Sequence, residues 1–172
     1  MPQAALAIRR YAEGETALKN YRTRILVALA CASTAASVSW AAAIAISNTQ
    51  ALAFGKFVAG AGGSVTVSPA GGRSASGGVV LVPSGPGAAA QFSVTGDPSA
   101  TYAIRLPGNG VVSLTSGANS MAVNNFTSSP AFTGQLSIGG SQTLLVGATL
   151  SVGSNQGTGS YSGTFDVTVN YN

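Results

Sequence analysis

The side chains that most often carry out catalysis or bind metals are scarce in this sequence. It contains no histidine, and its only carboxylate side chains after position 24 are Asp97 and Asp166. Two carboxylates can hydrolyse a glycosidic bond if the fold holds them on either side of it, and Lys56, the only lysine in the same part of the chain, could assist a serine nucleophile. Nothing in the sequence brings these groups together. We therefore expect no enzyme activity, no metal site and no cofactor.

The N-terminal segment predicts export from the cytoplasm. A basic tripeptide at 22–24 is followed by an apolar run over 25–36 and then by small residues as far as Ala43. This order is typical of a secretory signal peptide, so we interpret 1–41 as a signal peptide with cleavage between 36 and 43, after either Ala41 or Ala43. The alternative is a transmembrane anchor, because 25–46 is long enough to span a bilayer. Cys31 is the only cysteine, and its loss with the signal peptide would leave no disulfide.

The charge of the remaining chain excludes nucleic acid as a partner. The whole sequence has a net charge of +4, but five of its eight basic residues lie before position 25. The three that follow, set against two carboxylates, leave about +1, and a nucleic-acid-binding protein needs a clustered basic face. Charged residues are only 7% of the chain. Such a low charge weakens repulsion between copies and therefore tolerates self-association.

The pattern after position 42 predicts an all-β fold of a single domain, 42–172. Short runs in which apolar and polar residues alternate recur between turn sequences rich in glycine, proline and asparagine, and no long stretch has helical periodicity. Strands at this spacing are typical of an antiparallel β-sandwich. We expect strands at 64–68, 74–82, 90–96, 101–106, 111–115, 121–126, 142–146 and 147–152, with loops at 128–134 and 153–159.

The last stretch of the chain has the clearest strand pattern. Four apolar residues alternate with polar ones over 164–172, so that one face of the strand is apolar and the other is polar. Gly159 and its neighbouring glycines mark the turn that leads into this strand. A terminal strand must either pair inside a sheet or offer its edge to another chain. The four residues on the apolar face are Phe165, Val167, Val169 and Tyr171.

The residues themselves resemble a bacterial family known as domain of unknown function 4402. The resemblance covers nearly all of 44–172 and is carried by three segments. The third segment is also similar to the C-terminal part of chaperone–usher pilus subunits and of spore coat protein U-type subunits, in which a glycine precedes an alternating strand with a penultimate tyrosine; Gly159 and Tyr171 fit those positions. The three segments read ISNTQALAFGKFVAGAGGSVTVSPAGGRSASGGVVL, AAAQFSVTGDPSATYAIRLP and LLVGATLSVGSNQGTGSYSGTFDVTVNYN.

This resemblance implies an exported immunoglobulin-like sandwich that lacks one strand. In the pilus families a periplasmic chaperone and then a strand of the next subunit fill the groove by strand addition, and an outer-membrane usher assembles the fibre. The expectation for this chain is a pilin-like structural subunit of the periplasm, cell surface or an extracellular filament. We expect Ile44 and Ile46 to act as the donor strand, docking into a groove lined partly by the four apolar residues of the terminal strand.

A second interpretation stays open at the level of sequence. A complete sandwich would be a monomer that binds a ligand, such as a carbohydrate, through its loops. The asparagine-containing segments at 124–125 and 154–156 are the candidate binding loops, because amide side chains can hydrogen-bond to sugar hydroxyls. The two interpretations differ in oligomeric state.

Overall fold

The computed structural model describes residues 41–172, so positions 1–40 of the predicted signal peptide lie outside the described residues. Residues 41–172 contain no helix that is long and apolar enough to cross a membrane. They form twelve strands, consistent with turn-forming residues that interrupt every alternating run. The strands are β1 (Ala45–Gln50), β2 (Phe57–Val58), β3 (Gly63–Val67), β4 (Arg73–Gly77), β5 (Val80–Leu81), β6 (Ala90–Thr95), β7 (Thr101–Arg105), β8 (Val112–Ser116), β9 (Asn119–Ser129), β10 (Thr133–Gln135), β11 (Ser141–Val152) and β12 (Thr168–Tyr171).

The strands pair antiparallel in two main sheets, which confirms the predicted all-β sandwich. The larger sheet has the order β1-β6-β11-β3-β4, with β9 on the other side of β11 and β8 beside β9. The smaller sheet has the order β10-β7-β12, and β2 and β5 form a separate two-stranded ribbon. The terminal strand therefore belongs to the smaller sheet, whereas β1 lies at an edge of the larger one.

Strand β11 connects the parts of the larger sheet. Its first half pairs with β6 over 141–146, and its second half pairs with β3 over 148–152. Gly147 is buried and lies at the junction where the pairing of β11 passes from β6 to β3. The sequence pattern predicted two strands here, at 142–146 and 147–152, but they are one continuous strand because backbone pairing with β9 runs past the junction.

Two other predicted elements differ from the observed ones. The run 74–82 contains two strands instead of one, because Gly77 has a φ of 68° that turns the chain out of the extended conformation. The predicted loop at 128–134 overlaps the end of β9 and the start of β10. At 128–134, hydrogen-bonded pairing with neighbouring strands, which the local pattern does not encode, decided where the strands end.

The interior consists of two groups of apolar side chains, which we call the β3/β9 cluster and the β6/β7 cluster. Each consists mainly of the inward-facing residues of strands in which apolar and polar residues alternate. The β3/β9 cluster contains Phe54, Val65, Val67, Val79, Ala89, Val112, Met121, Val123, Ala148, Leu150 and Val152. The β6/β7 cluster contains Ala90, Phe92, Val94, Tyr102, Ile104, Leu136, Leu144, Val146 and Val169.

Tyr102 is the one polar aromatic residue at the centre of the β6/β7 cluster. Its hydroxyl donates a hydrogen bond to Gln142 Oε1 at 2.6 Å, and the same oxygen accepts from the Gln135 backbone N–H at 3.1 Å. Burial raises the pKa of the Tyr102 phenol above its ordinary value. Since ionisation is disfavoured only in the folded state, Tyr102 links stability to alkaline pH.

We expect the free energy of unfolding to fall as the pH rises above about 10, the ordinary pKa of tyrosine. The contribution of Tyr102 is fully present below the pKa of the unfolded phenol and is lost as pH rises through the higher folded pKa. Urea unfolding between about pH 8 and pH 11 measures this decline, and Tyr102→Phe is the control. An equally steep decline in the phenylalanine variant would contradict the assignment.

Candidate assembly site

The apolar face predicted for the terminal strand is present, although the paired strand is shorter than expected. Only Thr168–Tyr171 are paired, with β7, and 164–167 approach the sheet without joining its ladder. Val169 is buried, whereas Phe165, Val167 and Tyr171 are half-buried against the β6/β7 cluster. All four predicted residues therefore face one apolar surface, and three of them remain partly accessible from outside.

Phe165 connects the terminal segment to both clusters. Its ring meets Phe92 edge-on at a centroid distance of 6.1 Å and lies tilted against Phe126 at 5.1 Å. These distances are within the range in which aromatic pairs attract each other beyond simple burial of area. Phe165 packs against both the β3/β9 and the β6/β7 cluster, so it fixes the direction from which the chain enters β12.

Two strands at this site each keep a free backbone edge. Within the described chain, β12 pairs with β7 and with no other strand, and β1 pairs only with β6. One end of β1 approaches the end of β12, where the Tyr171 hydroxyl donates to the Ala42 carbonyl at 2.7 Å. We call the space between these two edges, together with the half-buried apolar residues that border it, the edge groove.

Ile44 and Ile46 form the β1 wall of the edge groove. Ile46 lies in β1 opposite Val94 of β6, and Ile44 immediately precedes the strand. Both are half-buried and pack against the β6/β7 cluster, as Val167 and Tyr171 do. The two isoleucines and the terminal strand thus contact the same cluster, and they do so within one chain.

An apolar pocket of about 210 Å³ lies beside Phe165, between Asn48 of β1 and the approach to β12. It exceeds the cavity of about 150 Å³ that is known to accept a benzene-sized molecule. The pocket is therefore large enough for a bulky side chain. Its walls come from the segment after β1, from β6, β8 and β9, and from the approach to β12, and include Leu52, Phe54, Phe92, Val112, Leu114 and Phe165.

The comparisons with known proteins identify a family. A family model described as "Domain of unknown function (DUF4402)" matches residues 44–171. The chain belongs to the DUF4402 family. The match begins at Ile44 and ends at Tyr171, so it includes both walls of the edge groove. No match was found among curated proteins or among solved structures.

Gly159 of this DUF4402 domain lies in the long connection between β11 and β12, well before the paired part of the terminal strand. A Cβ at this position would approach the Ser116 hydroxyl, so the connection passes close to the end of β8. Further along, Ser162 and Thr115 form a two-way backbone bridge. The connection is therefore attached to β8 before it reaches Phe165.

The predicted asparagine loops are part of the scaffold of the DUF4402 domain. Asn124 and Asn125 lie within β9, at a bulge where Asn125 has a φ of 50°. They belong to the strand predicted at 121–126, which is confirmed, and the expectation of a loop at 124–125 was wrong. Asn124 Oδ1 accepts from the Gly110 N–H at 2.8 Å, and Asn109 Oδ1 accepts from the Asn125 N–H at 2.8 Å. These side chains secure the Asn109-Gly110 turn against β9.

The second asparagine segment also makes internal hydrogen bonds. Gln156 donates through Nε2 to the Tyr161 hydroxyl at 2.9 Å, and Tyr161 donates to the Gly157 carbonyl at 2.6 Å. The two carboxylates lie in the turn after β6 and on the approach to β12. Asp97 accepts a hydrogen bond from Ala42, and Asp166 is exposed on the approach to β12.

Arg73 has a structural role that its contribution to the net charge did not indicate. Its guanidinium donates to the carbonyls of Phe54, Lys56, Val82 and Gly85. It thereby holds the segment that follows β1 against the loop that follows β5. An arginine among glycine and serine in a chain with so few charges was the available signal, because a cation there needs acceptors, and main-chain carbonyls supply them.

Proposed function

We propose that this DUF4402 protein is an exported structural subunit that polymerises by donor-strand complementation, with β1 as the donor. In the polymer, β1 of one copy leaves its own β6 and pairs with β6 of the next copy. Ile44 and Ile46 then fill the same positions against the neighbour's β6/β7 cluster. The observation that carries this proposal is the edge groove, in which the donor residues and the terminal strand share one apolar surface.

Strand β1 makes few buried contacts, so its exchange between copies costs little free energy. It is a six-residue edge strand, and Ile46 is its only half-buried residue, the other five being exposed. Exchange of an identical element between copies rebuilds the same hydrogen bonds and the same apolar contacts, so domain swapping has a low cost in contact energy. When each copy donates to the next and the rotation does not close, the product is a filament.

The charge of the domain also supports close approach between copies. Lys56, Arg73 and Arg105 are its only cations, and two carboxylates balance them to about +1. Repulsion between subunits is therefore weak. A periplasmic chaperone that holds β1 away from its own sheet, or that occupies the edge groove, is the expected partner before assembly, followed by an outer-membrane usher. The product would lie in the periplasm, on the cell surface or in an extracellular filament.

We expect Ile46→Asp to abolish polymerisation, because a carboxylate at this position would weaken the docking of β1 beside Val94 in any copy. In the monomer this change loosens only an edge strand, whereas in the polymer β1 is the link between copies. Ser47→Asp is the matched control, since Ser47 is exposed and points to the opposite face of β1. The full chain is expressed with its own leader. The oligomeric state of each variant is measured by light scattering after size-exclusion chromatography, and negative-stain microscopy shows whether filaments form.

Rods or ladders from the unsubstituted protein and from Ser47→Asp, with only folded monomer from Ile46→Asp, are the expected result. Circular dichroism shows whether the Ile46→Asp monomer is folded. A sharp, folded monomer from the unsubstituted protein at all concentrations would contradict the proposal. The second candidate, a monomeric binding module, would then be favoured by the seating of Ile44 and Ile46 within their own domain.

A further inference from the structure

Ala42 is held at both of its backbone groups by a small hydrogen-bonded cluster, which we call the Ala42 clasp. Its N–H donates to Asp97 Oδ1 at 2.6 Å, and its carbonyl accepts from the Tyr171 hydroxyl at 2.7 Å. The Asp97 N–H in turn donates to the Tyr171 hydroxyl at 2.7 Å. The clasp joins the start of the described chain, the turn after β6 and the penultimate residue of the protein.

The clasp depends on a glycine that brings the turn close to Tyr171. A Cβ at Gly96 would overlap the Tyr171 hydroxyl and crowd Leu136. No larger residue therefore fits at 96 without moving the tyrosine. This is the physical reason for a glycine at position 96, directly before Asp97.

Water can satisfy an exposed backbone N–H, so the Ala42 amide does not by itself require a carboxylate. Asp97 is one of only two carboxylate side chains in 42–172, and its distance of 2.6 Å to Ala42 N is short even for a charge-assisted hydrogen bond. The residues before Ala42 read Ser39-Trp40-Ala41, and small residues at the first and third of these positions fit a signal-peptide cleavage site.

We propose that Asp97 is the binding site for the α-ammonium group of the mature N-terminus, which is created by cleavage between Ala41 and Ala42. Hydrolysis of this peptide bond by a signal peptidase consumes one water, leaves a carboxylate on Ala41 and leaves an amine on Ala42, which takes up a proton near neutral pH. The existing hydrogen bond to Asp97 then becomes an ammonium–carboxylate ion pair. The clasp forms within a single chain, and after exchange of β1 the same groups would meet across two copies, so this proposal does not rest on polymerisation.

The clasp also distinguishes between the two cleavage sites that the sequence allows. Cleavage after Ala43 would remove Ala42 together with its N–H and its carbonyl, and both Asp97 and Tyr171 would lose their partner. Cleavage after Ala41 keeps all three hydrogen bonds and adds a charge. Removal of the signal peptide would therefore create the charge that holds the start of β1 beside the end of β12.

The first test is the N-terminus of the exported protein. The full chain is expressed with its own leader, and the processed product is examined by intact mass and by sequencing of its N-terminal peptide. The expected product begins at Ala42. A product that begins at Ile44, at another position, or that keeps the leader would overturn the proposal.

The second test is a cycle of thermal unfolding on the processed protein. Asp97→Asn keeps a hydrogen-bond acceptor but removes the charge, and Asp166→Asn is the matched control at the other, exposed carboxylate. Each protein is compared before and after selective acetylation of the α-amine, with Lys56 verified as unmodified. Acetylation converts the ammonium group back to an amide, as in the uncleaved chain.

With a free amine, Asp97→Asn should lower Tm by about 2–4 °C, a shift in line with a weak exposed ion pair. After acetylation the difference in Tm between Asp97→Asn and the unsubstituted protein should shrink below about 1 °C. Asp166→Asn should leave Tm unchanged both with the free amine and after acetylation. The same Asp97→Asn effect in both forms, or none in the free form, would refute the ion pair. If Asp97→Asn does not fold, acetylation of the unsubstituted protein must itself lower Tm, and an unchanged Tm would refute it.

Discussion

Gly147→Ala should destabilise the domain by about 3 kcal/mol or more, at the upper end of what overpacking costs. Gly147 is buried in β11 where pairing passes from β6 to β3, and a Cβ there would overlap the backbone of Val67, Ser68 and Pro69. A flexible side chain could move aside, but three backbone atoms at the end of a paired strand cannot do so without opening the sheet. Since domains are stable by only about 5–15 kcal/mol, this loss is a large share.

The measurement is urea unfolding of the processed domain, with Gly108→Ala as the matched control. A Cβ at Gly108 would meet only the end of the Val111 side chain at 3.9 Å, which is ordinary contact. We expect Gly108→Ala to unfold at nearly the same urea concentration as the unsubstituted protein. Equal stability of the two alanine variants would show that β11 does not need a glycine at the junction.

Arg73→Met should cost about 1.5–3 kcal/mol, because hydrogen bonds to a charged group contribute about that much. The methionine keeps most of the aliphatic stem and removes only the donors. The carbonyls of Phe54, Val82 and Gly85 then lose the guanidinium. The stability of Arg73→Lys should lie between that of the unsubstituted protein and that of Arg73→Met, since one ammonium cannot reproduce the planar set of donors.

Arg105→Met is the control for the change in charge. Arg105 is exposed on β7, so its replacement lowers the net charge equally without disturbing the loops. Chemical unfolding should place Arg105→Met within about 0.5 kcal/mol of the unsubstituted protein. If Arg73→Met were equally mild, the four carbonyl contacts would contribute little, and the segment after β1 would be held by its apolar side chains and its backbone hydrogen bonds.

The alternation of residue types predicted which side chains share a surface. The apolar positions of the terminal segment face one cluster, and Ile44 and Ile46 contact the same cluster. Alternation is a local property with a period of two, so the sequence reports it directly. It does not report which strands become neighbours, and the assignment of β12 to the smaller sheet beside β7 could not be predicted.

The features that were missed depend on contacts between distant segments. Asn125 adopts a left-handed conformation at a bulge in β9 because Asn109 binds its backbone, sixteen residues away. The carbonyls that Arg73 binds lie on two separate loops. The end of the paired strand at Thr168 follows from where β7 ends, at Arg105. None of these partners is indicated by the residues next to them in the sequence.

A pair of cysteines across β1 and β6 tests strand exchange most directly. Ser47 and Ser93 are direct partners in this antiparallel pair. Their Cα atoms are therefore expected about 4.5–5.5 Å apart, within the range that a disulfide spans. Ser47→Cys and Ser93→Cys are introduced together in the full chain, with Cys31→Ser so that no other thiol is present. The protein is oxidised after assembly and separated on a denaturing gel without reductant.

The control pair is Ser93→Cys with Thr143→Cys, which joins β6 to β11 and should always link within one chain. If β1 is exchanged, the Ser47–Ser93 pair gives ladders of covalently linked copies that collapse to monomer on reduction, while the control pair gives monomer throughout. Internally linked monomer from both pairs would contradict the account and would mean that β1 stays in its own domain.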